Sequence, residues 1–144
     1  MKAKAYFQQV AHAEHDLKLL RAQLRHYRDM GYSITGGSID SPVVCHSRGS
    51  SRVEASAVGI YDITRRLEEQ ERQCLDTISK ANAVIEKMKH EKYRDILTYR
   101  YLCGWSWKSI SDDLRYKDEK SVYRAHGWAL MEAQEILNKI EGGK

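Results

Sequence analysis

Eight residues near the C-terminal end, Lys108, Arg115, Lys117, Glu119, Lys120, Ser121, Tyr123 and Arg124, concentrate charge and hydrogen-bonding capacity at short spacing. Their chemistry is that of recognition. A guanidinium fork matches guanine O6 and N7, which makes Arg124 the candidate for a bidentate base contact, and Lys120 suits phosphate or guanine. Lys108, Arg115 and Lys117 flank them as candidates for phosphate contacts, which position a protein on a duplex without reading its sequence. Glu119, Lys120, Tyr123 and Arg124 fall at the exposed start of a helix, where a recognition helix meets base edges. Tyr123 suits a thymine methyl or a phosphate, or plain exposure to solvent.

Residues for bond-making chemistry are missing from the pattern. There is no Gly-rich phosphate loop before a helix, no nucleophile elbow and no carboxylate cluster of metal-binding spacing, so a non-enzymatic protein is expected. Cys45, Cys74 and Cys103 lie far apart and match no zinc spacing, which favours thiols over a metal site. His12 and His15 share a helix face at i, i+3 and Cys45-His46 is an isolated pair; neither has further ligands nearby. No cofactor and no metal are expected.

The candidate contact residues need elements to hold them. Tyr93–Leu102, Trp107–Leu114 and Ser121–Leu137 read as three helices, the first stopped near Cys103-Gly104. Ser106 is a suitable N-cap for the second, and Asp118 or Ser121 for the third. Trp107, Ile110 and Leu114 mark one inward face, and Val122, Ala125, Ala129 and Leu130 the other. Ser111 is small where a second helix would cross. A short helix that stops abruptly before a more exposed one is the sequence form of a helix-turn-helix.

Upstream, Ala3, Tyr6, Val10, Ala13, Leu17, Leu20, Leu24 and Tyr27 recur at alternating steps of three and four, a helix with one packed seam. Gly31 is a plausible stop. Residues 31–50 mix Gly, Ser and β-branched residues and read as a loop. A second stripe runs through Val53, Ala57, Ile60, Thr64, Leu67, Glu71, Cys74, Ile78, Ala81, Ile85 and Met88. That helix would be roughly 55 Å long at ~1.5 Å per residue, too long to stand without a lateral partner. The partner can be the first helix folded back as a hairpin, with Glu71 either facing Arg21 or Arg25 or reaching solvent, or it can be another copy of the chain. Ile63, Val84, Tyr61 and Leu75 widen the apolar face, so both are expected. Lys89–Lys92 breaks the heptad and predicts a hinge.

The fold expected is therefore all-α: a long N-terminal helical hairpin or coiled coil over residues 1–89, then a helix-turn-helix domain over 90–144. The charge is +4 overall, and residues 90–144 are nearly neutral, so DNA binding must rest on a local positive face or on several copies acting together. With 42% hydrophobic residues but no long apolar run, no membrane span is expected, and the N-terminus lacks the apolar core of a secretory signal. The cytoplasm is the expected compartment.

Tyr93-Arg94-Asp95-Ile96-Leu97-Thr98-Tyr99-Arg100-Tyr101-Leu102-Cys103-Gly104-Trp105-Ser106-Trp107-Lys108-Ser109-Ile110 resembles the opening of the region 4 helix-turn-helix of sigma factors. Tyr123-Arg124-Ala125-His126-Gly127-Trp128-Ala129-Leu130 is similar to its close in phage-encoded members. With the coiled N-terminal half, the chain resembles phage late-operon transcriptional regulators of the RinA/ArpU type. The motifs cover about residues 93–137; the N-terminal likeness is one of architecture and of the Met-Lys-Ala-Lys opening. The resemblance implies a phage or prophage protein that binds double-stranded DNA and controls late genes. Two departures stand out: Arg115 occupies a turn position where the family commonly has glycine, and Asp112-Asp113 places negative charge on the first motif helix.

Two other functions fit the same pattern. A region-4-like fold can contact RNA polymerase instead of DNA, which the near-neutral charge of residues 90–144 suits. A small terminase subunit also couples a helix-turn-helix to an oligomerising coiled segment; a ring of eight or more subunits would mark it, whereas a dimer or tetramer marks the regulator.

Overall fold

The computed structural model describes residues 1–35 and 48–143, with only the helical backbone given for 32–35 and 48–53. All regular structure among them is helical: α1 (Ala3–Thr35), α2 (Arg48–Glu86), α3 (Glu91–Leu97), α4 (Trp107–Asp113) and α5 (Glu119–Gly142). A π-helical turn, Thr98–Leu102, continues α3. This is the all-α class the stripes imply. No helix among the described residues is long and apolar enough to cross a membrane.

Several bounds differ from expectation: α3 starts at Glu91, inside the expected hinge, and α5 runs beyond Ser121–Leu137 at both ends. The helix α1 runs past Gly31 to Thr35 and α2 begins at Arg48, so the stretch between them is shorter than 31–50. A glycine inside a helix costs only about 1 kcal/mol against alanine, too little to end a long one. Residues 36–47, with Cys45-His46, lie outside the described residues. The division of the chain also falls elsewhere than at residue 89. Met1–Glu14 and Gln73–Lys144 form one compact unit and His15–Arg72 another.

In the unit of His15–Arg72, α1 and α2 run side by side in opposite directions. Arg21 Nη2 donates to Glu71 Oε1 at 3.3 Å, and Ser56 Oγ donates to the Tyr27 carbonyl at 3.2 Å. Both partners of the ion pair are well exposed, so it adds little stability. Leu17, Leu24 and Ile63 are buried. Ala57, on the predicted stripe, is exposed, while Ser56 is buried. The reason is Tyr27, whose ring lies where a Cβ at Gly59 would approach it to 2.8 Å. The ring seats against Gly59, while the Ser56 hydroxyl bonds the Tyr27 carbonyl, so this face of α2 is turned inward.

In the other unit the N-terminus of α1 and the C-terminal part of α2 enclose the second half of α5. Ala3, Phe7, Val10, Ala81, Val84, Ile85, Met88, Leu97, Tyr101, Ala129, Ala133 and Leu137 form one continuous core. Phe7 falls off the heptad stripe, yet it is fully buried and stacks on Tyr101 with centroids 5.5 Å apart. Ala3 N–H donates to Gln134 Oε1 at 2.7 Å. The break between α2 and α3 is pinned by Glu132 of α5, which accepts from Lys89 N–H and meets His90 Nδ1 at 2.8 Å. These contacts make residues 1–14 and 73–88 part of the unit that holds α3, α4 and α5.

Candidate nucleic-acid interface

A second, smaller core holds the candidate residues. Ile96, Ile110, Val122 and Ala125 are buried together, with Tyr93, Trp105, Trp107, Leu114 and Tyr116 packed around them. Both α3 and α4 pack on α5. Helix α4 starts where Ser106 Oγ accepts from Ser109 N–H at 3.2 Å, the cap expected of it. Its end is set by Arg115, whose φ of +57° is the sole positive value at a non-glycine position among the described residues. Arg115 therefore holds a left-handed position, where an L side chain meets the following carbonyl at about 1–2 kcal/mol. Across this turn Tyr116 N–H donates to the Ser111 carbonyl at 2.9 Å, and Ser111 is buried.

Helix α5 is capped by Asp118, whose Oδ1 accepts from Ser121 N–H at 2.8 Å and from Ser121 Oγ at 2.7 Å. Those bonds, with Lys117 and Lys120 close by, hold the Asp118 carboxyl below its ordinary range. Val122, Ala125, His126, Ala129, Ala133 and Leu137 face inward along α5. The spacing is that of one helix stripe, and its small residues let neighbouring helices approach closely.

Of the eight candidates, Lys108, Arg115, Lys117, Glu119, Lys120, Tyr123 and Arg124 are exposed. Ser121 is half-buried and its hydroxyl is engaged in the cap, so it supports the helix start and does not project from it. The Asp113 carboxylate of the acidic pair holds the pKa of the Tyr99 hydroxyl above its ordinary value. Asp112 stays exposed.

An aromatic and cationic cluster lies behind this face. The π-helical turn widens the end of α3, with Cys103 N–H donating to the Thr98 carbonyl at 3.0 Å. Trp105 stacks flat on Tyr99, with centroids 4.2 Å apart. Arg100 Nη1 donates to the Trp105 carbonyl at 3.0 Å, and its guanidinium lies 4.3 Å from the Trp107 ring. Trp107 in turn touches Tyr123 at 4.5 Å and the His126 ring edge-on at 4.8 Å. His126 Nε2 bonds the Tyr101 hydroxyl at 2.9 Å. Burial, then Lys4 and Arg100, push the His126 imidazole down to about 4, so it is neutral near pH 7 and does not face outward. Arg100 as a brace was missed in the sequence, although the Arg-Tyr pair of the first motif contains it.

The remaining chemical candidates are not assembled. His12 and His15 are each exposed. Among the described residues no group of three His, Cys, Asp or Glu could hold a metal ion. Compared with protein-family models, curated proteins and solved structures, the chain matches none of them.

Proposed function

We propose that this chain is a non-enzymatic, sequence-specific binder of double-stranded DNA that regulates phage or prophage late genes, in the manner of the RinA/ArpU-type regulators it resembles. In this reading α4, the 114–118 turn and α5 act as a helix-turn-helix, and α1 and α2 bring copies together as a dimer or tetramer in a bacterial cytoplasm. The observation that carries it is the sorting of side chains on α4 and α5. Ile110, Ser111, Val122 and Ala125 are buried, while Lys108, Arg115, Lys117, Lys120 and Arg124 are exposed. Arg124 reads guanine, Glu119 can accept from a cytosine amine, and the other cations grip phosphates.

Titration of DNA duplexes with variants tests it. Arg124→Ala weakens binding to the preferred site by about 1–3 kcal/mol and relaxes one base position. Lys117→Ala weakens all sequences alike and lowers the salt slope by about one unit. If neither change alters affinity for any duplex, these contacts are misassigned.

A second reading, contact with RNA polymerase, draws on a different surface. Trp128 and Met131 on α5 are 55% and 66% exposed and border a groove of about 430 Å³ with Tyr93 and Ile136. Co-purification with polymerase that survives high salt, with no DNA shift, would favour it.

A further inference from the structure

We propose that Tyr123 reads thymine, and that Trp107 is the positioning residue that holds its ring for the contact. The inference rests on the DNA-binding reading above and specifies what one part of that face recognises.

Tyr123 is 51% exposed, but its ring is not loose. Trp107 lies against it at 4.5 Å, tilted by 37°. Trp107 is itself braced by the Arg100 guanidinium at 4.3 Å and by the edge-on His126 ring at 4.8 Å. Both braces are anchored: Arg100 bonds the Trp105 carbonyl, and His126 bonds the Tyr101 hydroxyl deeper in the core. The Tyr123 ring is therefore held against its neighbours before any ligand arrives, so little side-chain freedom is lost on binding. The chain presents this ring beside Arg124, the candidate for guanine. A major groove offers one apolar group on ordinary DNA, the C5 methyl of thymine, and an apolar side-chain surface is what recognises it.

The test uses the full-length chain and a duplex enriched from a random pool by the protein itself. Each thymine of that duplex is replaced in turn by deoxyuridine, which removes the methyl group alone. At one thymine per site, affinity should fall about fourfold, the worth of one buried methyl group. Tyr123→Ala should bind the thymine and uracil copies equally, and Tyr123→Phe should keep the difference. Trp107→Leu should lose most of it while retaining wild-type helical circular dichroism. A purely structural Trp107 would weaken both copies by the same factor.

The inference is overturned if the wild-type protein ignores every methyl, or if Tyr123→Ala keeps the discrimination. It is also overturned if Tyr123→Phe weakens all sequences alike, which would make the hydroxyl a phosphate contact. Binding to DNA without methyl discrimination sinks this inference alone. Failure to bind any duplex sinks the DNA reading with it.

Discussion

Arg115 sets two demands against each other at a single position. Its backbone sits at φ +57°, which glycine adopts freely, whereas its exposed guanidinium is a candidate phosphate contact. Arg115→Gly should raise thermal stability by up to about 1 kcal/mol, because the left-handed strain is relieved and part of the gain is lost to a more flexible unfolded chain. The same change should weaken DNA binding for every sequence, with the salt slope lowered by about one unit. His126 gives a pH prediction of definite sign. Its folded pKa of about 4 lies below the ordinary 6.5, so between those values the unfolded chain binds more protons. The contribution is complete above pH 6.5 and is lost as pH falls toward 4. His126→Gln keeps a partner for the Tyr101 hydroxyl and should flatten that limb in denaturation measured across the range. The Arg115 conformation was legible in the sequence because it depends on a local turn. The neutral, buried state of His126 was not, since it depends on Tyr101, Lys4 and Arg100 arriving from other elements.

The helices themselves follow closely from local pattern where caps and breaks are local. Ser106 and Asp118 start α4 and α5 as their residue types predict, and Gly104, whose φ is +70°, stands where the chain leaves the π-helical turn. The seam of α2 is different. Its heptad stripe correctly brought Cys74, Ala81, Ile85 and Met88 inward, but nearer its start Ser56 is buried and Ala57 exposed. Hydrophobicity ranks alanine above serine at that seam; the shape of the Tyr27 ring reverses the order. Gly59→Ala should therefore cost about 1–3 kcal/mol through overpacking, because its Cβ would meet that ring at 2.8 Å. Thermal or denaturant unfolding of the variant measures it. A melt unchanged from wild type would mean that Tyr27 moves aside without cost. The π-helical turn carried no sequence signal of its own, although it places Tyr99, Arg100 and Tyr101 in the contacts that brace the candidate interface.

At the scale of the molecule, the unit that carries the candidate interface is assembled from both ends of the described chain. Phe7→Ala should destabilise it by about 3–5 kcal/mol, the usual cost of emptying a buried aromatic site. A fragment of residues 90–144 should lack a cooperative melt, since Ala129, Ala133 and Leu137 would lose the core that Phe7, Val10, Val84 and Ile85 complete. A sharp melt for that fragment would show that the smaller core around Ile110 suffices alone. This composite unit was illegible in the sequence because periodicity reports which face of a helix is buried and says nothing of the partner. Phe7 lies one step off its stripe, and its partners on α5 lie more than a hundred positions away. Association of copies is a separate matter, read by sedimentation, with Val58, Tyr61 and Leu75 exposed on α2 as the residues to change.

The seat of Phe7 also fixes a schedule. A ribosome working at ~5–20 residues per second makes residues 1–14 on the order of ten seconds before α5. Until then the phenylalanine has no alanine stripe of α5 to cover it. The core around Phe7 must therefore wait for α5, and translation halted before that helix would leave Phe7 and Val10 without Ala129, Ala133 and Leu137 to close over them.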